Sequence, residues 1–269
     1  MVRCFEPMAM TTTLEAGRPP QQLRDDLWLF PPNRDSQGGS SWWLDLDPEP
    51  VLVDCPPLTE ASLTALRQLA GTRSPRILLT SREGHGRLRR VQECLGWPVL
   101  VQEQEAYLLP NVEPLDTFAE EHTTVSGLRL LWTPGPTPGS CVVFAPAPNE
   151  LLFCGRLLTP WAPGQLAPMR HARTFHWPRQ LNSLARLRDW IPSDASPQLL
   201  SGAALGALRG ERLVTFSGWS DAADTAKALR HNTFRLQQPV ALHTIGQLGE
   251  GSGEPTTPYL SRLPPPDSL

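Results

Sequence analysis

Glu83 and His85 lie two residues apart in Ser81-Arg82-Glu83-Gly84-His85-Gly86, and they could offer an oxygen and a nitrogen to one divalent cation. Ser81 and His85 also invite a nucleophile-and-base reading. A four-residue spacing in a loop supplies no strained strand-to-helix elbow, however, and nothing nearby fixes an oxyanion hole, so acyl transfer through Ser81 is set aside. Arg156 is a fixed positive charge suited to holding a small anion. His171 and His176, five residues apart, share neither a helix face nor a strand face. They would serve a metal only if the chain folded them toward Glu83 and His85. Around them, Trp161, Phe175 and Trp177 mix with Arg170, Arg173 and Arg179. That composition suits a lid, a docking surface or an anion pocket, and equally suits aromatics packed on a sheet beneath solvated arginines.

The elements that must position these residues follow from periodicity. Leu27–Phe30, Trp42–Leu46 and Val51–Val53 read as strands around a turn at Gly38-Gly39. Trp42 and Trp43 must point to opposite faces of their strand, one into the core and the other under a loop or an interface. Thr59 can cap a helix with Leu63, Leu66 and Leu69 on one face and Gly71 at its stop. Ile77–Thr80 reads as a buried strand, Leu88, Val91 and Leu95 mark a helix that Gly96 ends, and Val99–Val101 is a further strand. The second half has strands at Leu128–Trp132, Cys141–Phe144 and Leu151–Cys154, then a helix from Pro178 to Trp190 striped by Leu181, Leu184 and Leu187. A strand at Gln198–Leu200, a polar helix at Asp221–His231 and an apolar piece at Val240–Leu242 complete the reading. Two β-rich halves, each carrying helices outside, predict a four-layer αββα sandwich of the α/β (α+β) class.

The stretch Thr133-Pro134-Gly135-Pro136-Thr137-Pro138-Gly139-Ser140 resembles the TPGHTPGS turn of metallo-β-lactamase-fold hydrolases at every position but one, where Pro136 stands for a histidine ligand. Ile77-Leu78-Leu79-Thr80 and the following Ser81 to Gly86 resemble the strand and loop that carry TH-x-H-x-D-H. Leu151 to Leu158 resembles the LLFTGDLL-like strand end, with Arg156 at the aspartate that bridges two metals. Ser201-Gly202-Ala203 falls where the family closes its site with Pro-Gly-His, and Val51-Leu52-Val53-Asp54 is similar to its early strand ending in aspartate. The resemblance runs in family order from about Leu27 to about Gly206.

It implies the αββα fold and a family chemistry in which one or two zinc or iron ions turn bound water into hydroxide. Carried over residue by residue, Ser81, Gly86, Pro136 and Ala203 replace histidines, as does Glu83. His85 replaces an aspartate, and Arg156 replaces the bridging aspartate. A guanidinium at the metal position would repel a dication, so Arg156 is expected to pair with Glu83, with His85 or Asp54 nearby. The reading is therefore a member that has lost its metal-binding motif and acts by binding, as a subunit, scaffold or sensor. It would carry no metal cofactor, and its ligand would be a small anion at Arg156 or a protein partner. The alternative is a metal-dependent hydrolase whose zinc or iron is held by Glu83, His85 and His171 or His176. His122, His231 and His243 show no ligand spacing.

Composition bounds the remaining classes. The 269 residues carry a net charge of −3, which gives no electrostatic footprint for nucleic acid and disfavours a nuclease. Five cysteines without CxxC spacing suggest reduced thiols and a cytoplasmic protein. Cys55 and Cys154, at strand ends near the inferred cleft, read as small core residues. No apolar run is long enough for a membrane span. The 30 prolines imply many loops. Residues 1–25 are expected to be a flexible or draped segment, 26–245 the domain, and 246–269 a flexible Pro/Gly-rich tail.

Overall fold

The computed structural model describes residues 14–215. The expected elements at 221–231 and 240–242, the tail from 246, and His231 and His243 lie outside that range. In chain order the elements are β1 (Gln21–Arg24), β2 (Leu27–Asn33), β3 (Gly39–Leu44), β4 (Val51–Val53), α1 (Glu60–Ala70), β5 (Arg76–Leu78), α2 (Leu88–Leu95) and β6 (Val99–Gln102). They continue with α3 (Glu103–Ala106), β7 (Leu115–Phe118), β8 (Glu121–Thr123), β9 (Arg129–Trp132), β10 (Cys141–Ala145) and β11 (Leu151–Gly155). Last come β12 (Thr159–Ala162), β13 (Gln165–Ala167), α4 (Trp177–Trp190), β14 (Gln198–Ser201) and β15 (Val214–Thr215).

Seven strands form one sheet in chain order, β1 to β7, and six form a second in the order β15-β14-β11-β10-β9-β8. The first sheet runs antiparallel through β4 and parallel from β4 to β7. In the second, only β11 and β14 pair in parallel. Trp42 of β3 meets Phe153 of β11 across the sandwich, with ring centroids 6.5 Å apart. Phe144 of β10 meets Trp190 of α4 at 6.2 Å. Trp43, on the other side of β3, packs with Trp97 and with residues of α1 and α2. The layers are thus helices α1 and α2, sheet, sheet, and helix α4, which is the predicted αββα sandwich. Both tryptophans of the pair are core residues, 1% and 0% exposed, because the second helical layer covers Trp43 as fully as the second sheet covers Trp42.

Helix α1 starts where Thr59 accepts a hydrogen bond from the Ser62 amide, at 3.2 Å, and ends at Gly71. It buries Leu63, Leu66 and Ala70. Helix α4 begins after His176, whose side chain accepts from the Arg179 amide. The flexible segment expected to reach residue 25 is corrected at its end. Gln21–Arg24 is an edge strand, held by its ladder to β2 and by Leu23 packed on the core. Its polar composition hid it, because an edge strand can be held by backbone pairing with a single apolar anchor. Among the described residues no helix is long and apolar enough to cross a membrane.

Candidate functional site

Parallel strands deliver their C-terminal ends to one edge, where ligands of α/β folds are bound. At that edge lie Asp54 after β4, Thr80 and Ser81 after β5, Arg156 after β11, and Ala203 after β14. Backbone bonds stitch the two sheets together there. The Ser40 amide donates to the Gly202 carbonyl at 3.2 Å and the Cys141 amide to the Thr80 carbonyl at 2.8 Å. Trp42 Nε1 donates to the Ser201 carbonyl at 3.2 Å, and Ser40 Oγ donates to the Ala203 carbonyl at 3.0 Å.

The Thr133–Ser140 turn closes through the Thr133 amide on the Ser140 carbonyl at 2.7 Å and the Thr137 amide on Ser140 Oγ at 2.9 Å. Gly135 has φ +146, and a Cβ there would lie 2.3 Å from the Cα of Gln180 in α4, so glycine is required for backbone reasons and for packing. The fully buried Glu105 carboxylate underwrites the turn. Its Oε1 accepts from Thr137 Oγ1 at 2.6 Å and from the Gly139 amide at 3.0 Å, and its Oε2 accepts from Arg82 Nε at 2.8 Å. Sequence reasoning missed Glu105. The only cue was a short acidic run, Glu103 to Glu105, following strand β6.

Beside this turn opens a cleft of about 570 Å³ lined by Glu83, Pro136, Arg156, His171, Arg173, Gln180 and Ala203 among others. Arg156 Nη2 donates to the Ser36 carbonyl at 2.8 Å, and Nε lies 3.4 Å from Glu83 Oε2. Arg173 Nε approaches the other Glu83 oxygen at 3.7 Å. Both ion pairs are longer than the about 2.7–2.9 Å of a strong charge-assisted hydrogen bond. The remaining Arg156 donors have no partner among the described residues. Burial pulls the Arg156 guanidinium below its ordinary value, and the Glu83 and Asp54 charges oppose that shift. It stays charged, as a guanidinium does throughout the working range.

Asp54 is 3% exposed and accepts the Thr80 amide at 2.8 Å and the Thr80 hydroxyl at 2.7 Å. Burial raises its pKa to about 6, against the lowering by the two Thr80 hydrogen bonds and by the Arg156 charge. Burial, and then the Arg82 charge, bring His85 down to about 4, so its imidazole is neutral at pH 7. His85 Nε2 and Ser81 Oγ are both buried without a partner. Cys55 and Cys154 are buried free thiols, raised by burial, Cys154 to about 12, which leaves them unreactive.

The structure brings Glu83, Arg156, Pro136 and Ala203 to one cleft and adds Arg173 and His171. Ser81, which is buried, and His85, which is half-buried, do not line it, and Gly86 lies against Cys55. His176 does not line the cleft, and its Nδ1 accepts the Arg179 amide as the cap of α4. Glu83 is shared between two guanidiniums, and among the described residues no three His, Cys, Asp or Glu side chains converge.

No family profile and no curated protein matches the sequence. Solved structures do match. The structure of VMB-1 superposes with TM-score 0.60 at 14% identity, over 82% of this chain and 99% of that one. A B3 metallo-β-lactamase with an active-site glutamic acid gives 0.55 at 18%, over 83% and 93%. An archaeal metallo-β-lactamase superfamily protein from Sulfolobus tokodaii, ST1585, gives 0.54 at 14%, over 82% and 91%. The chain has the metallo-β-lactamase fold.

Proposed function

We propose that this protein acts by binding a small anionic ligand or a partner's anionic group in the Arg156 cleft, without a hydrolytic metal. The observation that carries the reading is the Arg156–Glu83 pair, 3.4 Å apart, at the strand-end edge of the sandwich. Glu83, the one acidic group lining the cleft among the described residues, is engaged by Arg156 and Arg173, and a dication beside it would meet two fixed positive charges, that of Arg156 largely buried. Pro136 and Ala203 carry no metal-ligating side-chain atom, and His85 is half-buried with its Nε2 out of contact with solvent. A surplus of guanidinium over carboxylate suits an anion. The test is metal analysis by inductively coupled plasma mass spectrometry on protein purified without chelator, with Arg156→Asp as a gain-of-metal control. Wild-type protein is expected to carry well under one ion per chain; near-stoichiometric zinc, iron or manganese would overturn the reading in favour of a rearranged hydrolase site.

A further inference from the structure

The cleft is much larger than its charge requires. At about 570 Å³ it falls within the about 300–1,000 Å³ of pockets that hold whole organic molecules, and an inorganic anion would leave most of it to water. Its lining is mainly apolar, from Pro136, Pro160, Met169, Ala172, Ala203 and Ala204, with Thr159, His171, Thr174 and Gln180 as the uncharged or weakly basic polar members. One wall, the segment before α4, is fixed across the opening by the Phe175 amide on the Pro136 carbonyl at 3.0 Å and the His176 amide on the Gly135 carbonyl at 2.9 Å. At the rim, the chain neighbours of Pro160 and Thr174 are Trp161, 38% exposed, and Phe175, 51% exposed. Large aromatics left in water beside an apolar-walled cleft mark a surface that gains by being covered.

The charge count sets the other half of the ligand. Glu83 neutralises one of the two guanidiniums, Arg156 and Arg173, leaving one positive charge and uncommitted planar donors. We propose that the cleft takes a monocarboxylate with an apolar, ring-sized body. Its carboxylate would lie on Arg156 and Arg173, and its body against Pro136, Pro160, Met169 and Ala203. This rests on the anion-binding reading and names the ligand class for it. A carboxylate matches the guanidinium fork two oxygens to two nitrogens, while the apolar body displaces water from the walls.

The test is isothermal titration calorimetry on the full chain with 2-naphthoate, acetate, inorganic phosphate and 2-naphthalenemethanol. Naphthoate is expected to bind at least about ten-fold tighter than acetate, phosphate or the uncharged alcohol. Binding should be lost in Arg156→Met, and in Ala204→Glu, an exposed position on the cleft wall that can be changed without touching the core. Acetate or phosphate binding as tightly as naphthoate, with Arg156 required, would overturn the apolar body and leave the anion reading standing. No binding by any of the three anions would overturn both. Naphthoate binding that survives both variants would place it elsewhere and overturn the inference.

Discussion

Asp54→Asn isolates a single buried titration at the edge of the cleft. Asp54 ionises at 3.8 in an ordinary setting and at about 6 in the fold, because desolvation outweighs the Thr80 hydrogen bonds and the Arg156 charge. Between these values the folded protein holds a proton that the unfolded chain has released, so stability falls as pH rises through the window. Above about pH 6 the loss is complete, and roughly two pKa units correspond to about 3 kcal/mol. Asparagine fits the site, since position 54 has φ +61, which asparagine tolerates, and its Oδ1 can still accept the Thr80 amide. Urea unfolding of wild type and variant, every half unit from pH 3.5 to 7.5, gives a difference that cancels all other groups. The variant should gain on wild type by up to about 3 kcal/mol between pH 4 and pH 6.5 and stay level above that. A flat difference, or one that grows as pH falls, would refute the assignment of a desolvated carboxylate.

His85 works in the opposite sense. Its lowered pKa of about 4 means stability is fully present above pH 6.5 and is lost as pH falls toward 4, and a His85→Gln variant should lose that acid sensitivity in the same unfolding series. Arg156→Met removes the charge that lowers Asp54, so carboxyl NMR should place Asp54 above the wild-type value of about 6. Glu105→Ala strands the Arg82 guanidinium and two donors of the turn, the Thr137 hydroxyl and the Gly139 amide, and chemical denaturation should show a loss of about 3–5 kcal/mol, with Glu105→Gln losing less. Gly135→Ala forces a Cβ into the Gln180 backbone, and its melting temperature should fall by more than that of an alanine replacement at exposed Gly210.

Much of the architecture was legible because the buried strands are short apolar runs between turn residues. Val51–Val53, Cys141–Ala145 and Leu151–Gly155 are buried at every position, and such runs announce themselves. Strands β1, β8 and the β12–β13 hairpin were not legible. Gln21–Arg24 and Glu121–Thr123 are polar edge strands specified by pairing, and Thr159–Ala162 carries a proline that argues locally against a strand. At the site, the Thr133–Ser140 turn and the placement of Arg156 near Glu83 could be read from motif spacing. The composition around Arg173 suggested an anion pocket among other roles, but its pairing with Glu83 could not be read, because it depends on how the segment before α4 is pinned to Pro136. Glu105 was invisible for the same kind of reason, since a buried carboxylate is defined by the amide and hydroxyl groups that reach it.

The stitching of the sheets at the cleft edge makes the sandwich asymmetric under deformation. The Ser40 and Cys141 amides donate to carbonyls of the opposite sheet, and neither could be freed by fraying of its own strand. Exposing them to solvent deuterium requires the layers to part. Their exchange rates should therefore track global opening, while amides at the ends of β1 and β8 exchange through local motion. The cleft sits on the clasped side of the book, so a ligand would enter past its rim segments, with the spine held shut.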